Sequence, residues 1–439
     1  MKVEEIIKEI TDQECSCGKS HGIAIPRIIV ESKAVLRLPE LIKEFGAKKV
    51  FVLADVNTFE VAGREVLELL HKSGVAYSSF VFPDKELEPD EKAVGSAVMH
   101  FDNSCDLVLA VGSGVINDTG KILAAIAKTP YFIVGTAPSM DGYASATSSM
   151  AMDGLKVSLP SKCADVIVGD IDVLKTAPMR MLQAGLGDML AKYVSIAEWR
   201  VAHEITGEYY CEKIATLIRN ALKRCVDNAE GLLKREDEAV RAVFEGLVIG
   251  GIAMALAGVS RPASGVEHYF SHVWDMRGLA FGTKVELHGI QCAIGTYIAA
   301  GLYEKVLNLT PQKDKALKYA AAFNFEKWAK ELKIFLGKGA DAMIALEAKE
   351  GKYDVKKHAA RLDVILNKWD VICQIIREEI PTQKEIENIL QTLGAPKTTE
   401  EVGIECNLFT TLKATKDIRD KYVLSRLLWD LGVLDEFKI

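Results

Sequence analysis

Five short apolar runs, separated by stretches with helical spacing, restrict the fold of this chain more than any other feature of its sequence. The runs are I-A-I-P-R-I-I-V-E from Ile23, K-K-V-F-V-L-A-D ending at Asp55, A-Y-S-S-F-V-F from Ala76, C-D-L-V-L-A-V ending before Gly112, and P-Y-F-I-V-G-T from Pro130. Helical spacing covers Ala34 to Phe45, Val61 to Ser73, Glu91 to Phe101 and Thr119 to Lys128. A short apolar run bounded by polar residues is the pattern of a strand buried on both faces of a parallel sheet. Strand alternating with helix then predicts a doubly wound, Rossmann-like α/β dinucleotide-binding domain over residues 1–172. Beyond Asp172 nearly every segment reads as helix, including Gly187 to Ala202, Tyr209 to Asn228 and Glu236 to Gly258. Residues 173–439 are therefore expected to form an all-α domain.

Composition bounds the partners. A length of 439 residues suits two or three domains with a substantial core. A net charge of -7 at pH 7 offers no positive field to a phosphate backbone, so no nucleic-acid partner is expected. The N-terminal M-K-V-E-E-I-I-K-E-I is amphipathic and lacks the apolar stretch of a secretory signal. The most hydrophobic run, Gly246 to Val259, is shorter than the roughly 20 residues that cross a bilayer, and reads as a buried core helix. Nine cysteines without a secretion signal point to reduced thiols in the cytoplasm. Cys15, Cys17 and His21 form a local trio that could bind zinc, but no nearby residue closes a tetrahedron.

Ligands of an open α/β sheet bind outside the carboxyl ends of its strands. At one such end, V-G-S-G-V-I-N-D-T-G-K, Gly112, Ser113 and Gly114 let the backbone approach a pyrophosphate at a helix N-terminus, and turn geometry alone would also explain the glycines. At another, Asp55 could accept from ribose hydroxyls, which favours NAD over NADP, or could cap the next helix. A third end runs G-T-A-P-S-M-D-G-Y-A-S, where Asp141 suits either a substrate hydroxyl or an Asx-turn.

Three of the eight histidines fall within S-G-V-E-H-Y-F-S-H and V-E-L-H-G. His268 and His272, four apart, share one face of a helix, and His288 follows a loop. Imidazoles converging this way can hold a divalent metal or serve only as a hydrogen-bonded helix face. A carboxylate ligand would strengthen the first reading. Asp188, in A-G-L-G-D-M-L-A-K-Y, fits it, although a first-turn acid favoured by the helix dipole would look the same.

Four segments together resemble the iron-containing alcohol dehydrogenase and dehydroquinate synthase-like superfamily: G-S-G-V-I-N-D-T-G-K, T-A-P-S-M-D-G-Y-A-S, G-L-G-D-M-L-A-K and S-G-V-E-H-Y-F-S-H with L-H-G. S-M-D-G-Y-A-S, E-H-x-x-S-H and the opening C-S-C-G-K-S-H are most similar to its glycerol-1-phosphate dehydrogenases, including the bacterial AraM-like branch. The resemblance covers residues from about 15 to 300. It implies reversible reduction of dihydroxyacetone phosphate to sn-glycerol 1-phosphate, in glycerophospholipid metabolism, by NAD(H) or NADP(H) with one divalent metal. It makes Asp188, His268 and His288 the metal ligands, sets His272, Asp141 and Asp188 against the substrate, and makes the helical domain the metal- and substrate-binding one. Cofactor contacts fall on Asp55, Gly112, Gly114, Val115, Ile116, Asn117, Asp118, Thr136, Ala137, Pro138, Ser139 and Ser145. Many iron-dependent members carry a further His ligand four residues after the Asp; Lys192 stands there, which favours zinc, with nickel the alternative. Arg261 and Lys162 are candidate partners for the substrate phosphate. Family members commonly form homodimers or larger assemblies. A glycerol or polyol dehydrogenase of the same superfamily, a lyase that recycles its NAD, and a non-catalytic nucleotide-binding protein are the alternatives.

Overall fold

The computed structural model describes residues 7, 10, 11, 15–22, 27–153 and 155–439. The described chain divides into two compact units, Met1–Met189 with Thr216–Val259, and Leu190–Ala215 with Ser260–Ile439.

The first unit is built on the alternation read from the sequence. In chain order it runs β1 (Arg27–Glu31), α1 (Leu38–Glu44), β2 (Lys49–Asp55), α2 (Arg64–Lys72), β3 (Ala76–Phe82), α3 (Glu91–His100), β4 (Leu107–Gly112), α4 (Gly114–Ala127) and β5 (Tyr131–Gly135). Residues 23–26 of the first expected strand lie outside the described residues. Three further strands follow, β6 (Thr147–Met152), β7 (Leu155–Pro160) and β8 (Val166–Asp170). The first two form a separate antiparallel pair, while β8 enters the main sheet between β1 and β5. That sheet has six strands in the order β1-β8-β5-β4-β2-β3, and every pairing in it is parallel. The chain leaves β2 toward β3 at one edge and returns on the other side as β4. The strand order therefore reverses between β2 and β4, and the crevice at their carboxyl ends is where a doubly wound sheet takes its ligand. Asp55 ends β2 and Gly112 ends β4.

Helix α5 (Met179–Thr206) starts eight residues earlier than expected, so Asp188 sits inside a helix and not in its first turn. The Gly-Leu-Gly read as a bend is helical. Its glycine answers a packing demand: a Cβ on Gly185 would lie 1.8 Å from the carbonyl oxygen of Pro138. Helix α6 (Glu212–Asp227) follows, and then the apolar α7 (Asp237–Ala257). This helix is long and apolar enough to cross a membrane, but 78% of its most apolar window is buried in the protein. Phe244 explains the placement. Its ring lies against Gly135 of β5 and Gly169 of β8, where added Cβ atoms would stand 2.8 and 2.4 Å from it. Gly251 of α7 makes a further close approach, 2.8 Å from Cβ to the carbonyl oxygen of Asp141. The change to helix near residue 172 is thus a change of secondary structure, while residues 216–259 lie in the sheet's unit.

The second unit consists of helices and loops, with no strand among its described residues. Helix α8 (Val266–Phe281) ends on Gly282, whose φ of +67° supplies the left-handed cap that a side chain would strain. Helix α9 (His288–Val306) follows and packs closely on α8, with the Cβ position of Gly295 2.5 Å from the Glu267 carbonyl oxygen. Shorter helices from Lys313 to Asp430 complete the unit.

Backbone carbonyls cannot move aside as flexible side chains do, so Gly185→Ala is expected to lower stability by about 1–3 kcal/mol. Gly95, inside α3 with open space around its Cβ position, is the control: Gly95→Ala should stabilise by about 0.5–1 kcal/mol. Urea unfolding of both variants checks the pair, and equal stability would show that the loop at Pro138 yields.

Candidate functional site

At the carboxyl ends of β2 and β4 the nucleotide candidates have distinct surroundings. Asp55 caps the helical turn after β2: its Oδ1 accepts from the amides of Asn57 and Thr58 at 2.8 Å each, and its own amide donates to Thr58 Oγ1. The cap uses one carboxylate oxygen. Gly112 is dictated by packing, since a Cβ there would sit 2.5 Å from Ile116 Cβ. Ser113 precedes α4 without capping it through its side chain, so the first amides, Gly114, Val115 and Ile116, are left to an outside acceptor. Asn117 and Asp118 turn inward. The Asn117 amide group donates to the Gly142 carbonyl, its Oδ1 accepts from Tyr131 OH, and Asp118 pairs with buried Lys121 at 2.8 Å. Lys121 also donates to the carbonyls of Gly142 and Thr147 and to Ser145 Oγ, which fixes the loop after β5. In that loop the Ala137 carbonyl accepts from Tyr143 OH, the Ser139 amide donates to Ala137, and Thr136 and Ser139 are buried.

The metal candidates come together. Asp188 lies two residues ahead of Leu190 on α5, which runs on unbroken to Thr206. The ligand atoms of Asp188, His268, His288 and Cys292 all lie within 4.8 Å of one another. Around a tetrahedral ion with bonds of about 2.0–2.3 Å, ligand atoms stand roughly 3.3–3.8 Å apart, so this donor set fits a divalent metal. Helix periodicity does the positioning: His268 and His272 share a face of α8, and His288 and Cys292, four apart, share a face of α9. The rings of His268 and His288 are 5.0 Å apart, and that of His272 is 6.3 Å from His288. The Asp141 amide donates to Asp188 Oδ2 at 2.9 Å. His268 donates from Nδ1 to Glu267 Oε1 at 2.8 Å, which leaves Nε2 as the metal-facing nitrogen.

Comparison with known proteins gives the family. Residues 29–178 match the family model described as iron-containing alcohol dehydrogenase. A glycerol-1-phosphate dehydrogenase [NAD(P)+] of Halalkalibacterium halodurans is 29% identical over 399 residues, 90% of each chain. Its namesake in Geobacillus thermodenitrificans is 33% identical over 297 residues, 67% of this chain and 74% of that one. The chain belongs to the glycerol-1-phosphate dehydrogenase family. A glycerol dehydrogenase structure from Schizosaccharomyces pombe shares the fold, with a TM-score of 0.60 at 16% identity over 97% of this chain and 92% of that one.

Two features of this family member escape a reading for histidines and acids. Cys292 is the first; its only signal was the four-residue spacing from His288. Burial pushes its thiol up, but His268 and His288 beside it pull it further down, to a net lowered pKa. The second is a buried carboxyl pair behind His268. Glu267 Oε1 accepts from the Gly265 amide as well as from His268, and Glu198 accepts from the amides of Val266 and Leu424 and from Tyr303 OH. The two side chains meet over Gly265, where a Cβ would lie 2.5 Å from Glu198 Oε2 and 2.8 Å from Glu267 Oε2. Burial first, and then the Glu267 charge, push Glu198 up to about 8.

Lys192 is fully buried, with its ammonium on the Ala263 carbonyl at 3.2 Å. Both phosphate candidates are otherwise engaged. Arg261 is buried in a two-pronged pair with Glu208 and donates to the Tyr422 carbonyl. Lys162 pairs with Asp165 and donates to the Thr129 carbonyl. A buried guanidinium needs such partners, so Arg261 is committed to the protein itself, whereas Lys162 is only partly buried.

A folded-state pKa near 8 against an unfolded 4.5 means that the folded protein keeps a proton the unfolded chain has released between those values. Stability contributed at Glu198 should therefore fall as pH rises from about 5 to about 8, and level off above. Glu198→Gln should flatten that fall in urea unfolding. An unchanged slope would mean that Glu198 is ionised in the folded protein.

Proposed function

We propose that this protein interconverts dihydroxyacetone phosphate and sn-glycerol 1-phosphate with NAD(H) or NADP(H) and one divalent metal. The observation that carries the reading is the meeting of Asp188, His268 and His288 in a chain of the glycerol-1-phosphate dehydrogenase family. Those three residues would hold the metal and leave a coordination position for a substrate oxygen. Zinc is our first choice, because two imidazoles, a carboxylate and a nearby thiol suit a borderline-soft ion, with nickel second.

When bound, the metal supplies Lewis acidity at the substrate carbonyl. The nicotinamide supplies the hydride. The chain's own residues orient and protonate. Glu267 fixes the tautomer of His268, the Asp141 amide fixes Asp188, and His272 passes a proton to the C2 oxygen on reduction and takes it back on oxidation. Asp141 and Asp188 hold the substrate hydroxyls. The pyrophosphate lies on the amides of Gly114, Val115 and Ile116, and the loop from Thr136 to Ser139 with Ser145 contacts the rest of the cofactor. The second oxygen of Asp55 faces the ribose and favours NAD over NADP. The same reading takes the protein as a cytoplasmic homo-oligomer with reduced cysteines.

The test is NADH oxidation by metal-loaded protein with dihydroxyacetone phosphate or free dihydroxyacetone, with and without chelator. Chelator-sensitive turnover of the phosphate ester is expected, and turnover of free dihydroxyacetone alone would make the protein a polyol dehydrogenase. His268→Ala should lose both metal and activity, whereas His272→Ala should keep its metal and lose about 10²–10⁴-fold in kcat. Metal loss from His272→Ala, or full activity in it, would remove His272 from the proton-transfer role.

A further inference from the structure

The N-terminal trio that lacked a fourth donor in the sequence has one in the structure. The ligand atoms of Cys15, Cys17, His21 and Cys211 lie within 4.8 Å of one another. We infer that these four residues hold a structural zinc ion, distinct from the metal at Asp188, His268 and His288.

Each donor is placed by its own local device. Cys15 and Cys17 flank a tight turn closed by the Gly18 amide on the Cys15 carbonyl at 3.0 Å, with Gly18 at φ +78°, a conformation that glycine adopts without strain. His21, only 2% exposed, donates from Nδ1 to the Leu256 carbonyl at 3.0 Å. A carbonyl can only accept, so the bond fixes the tautomer and turns the Nε2 lone pair toward the sulfurs, as in the outer-shell bonds that orient zinc-binding histidines. Cys17 Sγ stands 3.3 Å from that Nε2. Two ligands on one tetrahedral zinc, with bonds of about 2.3 Å to sulfur and 2.0–2.1 Å to nitrogen, are roughly 3.5 Å apart. Cys211 is buried and opens α6: its carbonyl accepts the first helical bond, from the Ala215 amide.

The chemistry of the set selects the ion. Three thiolates and an imidazole form a closed, soft donor group, the composition of structural zinc sites, and no protein ligand position is left for a substrate. Binding would release the thiol protons and couple metal affinity to folding of the segment from Cys15 to Gly22. None of the three cysteines is in a disulfide.

The experiment counts metal in the full chain, reconstituted with zinc under reducing conditions and freed of excess ion. Two zinc ions per chain are expected in the wild-type protein. Cys17→Ser and Cys211→Ser should each lose one and keep the other. His268→Ala should also lose one, the other, so that the double variant His268→Ala with Cys17→Ser binds none. This pairing separates the cysteine site from the catalytic reading, since the Cys17 and Cys211 variants report on it whatever His268 does. As a measurement that needs no variant of the site, a mercurial thiol reagent added to folded His268→Ala protein should release its zinc as three thiols react. Zinc content unchanged by Cys17→Ser and Cys211→Ser, thiol titration without zinc release, or a disulfide among these cysteines in the purified protein would each overturn the inference.

Discussion

The carbonyl of Pro138 occupies the space that a side chain at residue 185 would need, and the arrangement of the loop after β5 depends on that contact. Glycine at 185 lets α5 come close enough to touch the loop backbone, and glycine at 251 lets α7 do the same from Asp141. Held by two helices and stitched by Lys121 to Gly142, Ser145 and Thr147, the loop has little freedom. Its order matters because the Asp141 amide donates to Asp188. A carboxylate oriented in advance loses less entropy on meeting a metal than a free one does. The two glycines thus act at a distance from any ligand, through backbone that cannot relax.

Behind His268 the same logic is worked in buried charge. Two carboxyl groups as close as Glu198 and Glu267 are costly when both are ionised, and a raised pKa at Glu198 relieves the repulsion by keeping a proton. Cations balance what remains. Arg261 is paired with Glu208, and Lys421, pulled down to about 7 by burial and then by Arg261 and Arg419, donates to Ser260 and Ser264. Replacing such networks by well-packed apolar residues often leaves stability unchanged or improved, so stability is a poor reason for this one to exist. Orientation is a better one. Glu267 can hold His268 in one tautomer only if its own position is overdetermined, and the Gly265 amide and the crowding carboxyl of Glu198 supply that.

What could be read from the sequence follows from which interactions are local. Buried parallel strands announce themselves as apolar runs, and β1 to β5 were legible for that reason, as were His268 and His272 on one helix face. The short β8, V-I-V-G-D, follows a polar stretch without the flanking helix that marked the others, and the β6 and β7 pair carries Ser and Thr on a mostly half-buried ribbon. Gly-Leu-Gly has the local signature of a bend, and only a contact 47 residues away in the chain, between Gly185 and Pro138, explains why glycine stands inside α5. Arg261 looks available as a phosphate partner because its long-range ion-pair partner, Glu208, leaves no trace near it in the sequence. Asp55 remained ambiguous between ribose and cap, and the cap is present with one oxygen left over.

Two clusters of metal-ligand residues in one chain raise the question of how each would take the right ion. First-row divalent metals rank in nearly the same order for any nitrogen, oxygen and sulfur site, so selection has to come from donor softness and from how many positions the protein fills. Cys15, Cys17, His21 and Cys211 fill all four with soft or borderline donors, which favours zinc and leaves nothing to react. At Asp188, His268 and His288 the donors are harder and fewer, and the fourth group present is Cys292, one helical turn from His288 on α9. Were that thiolate to bind permanently, it would close the site and exclude a substrate oxygen. A catalytic role therefore requires Cys292 to stay outside the coordination sphere while substrate is bound, in contact with His288 but not competing for the ion.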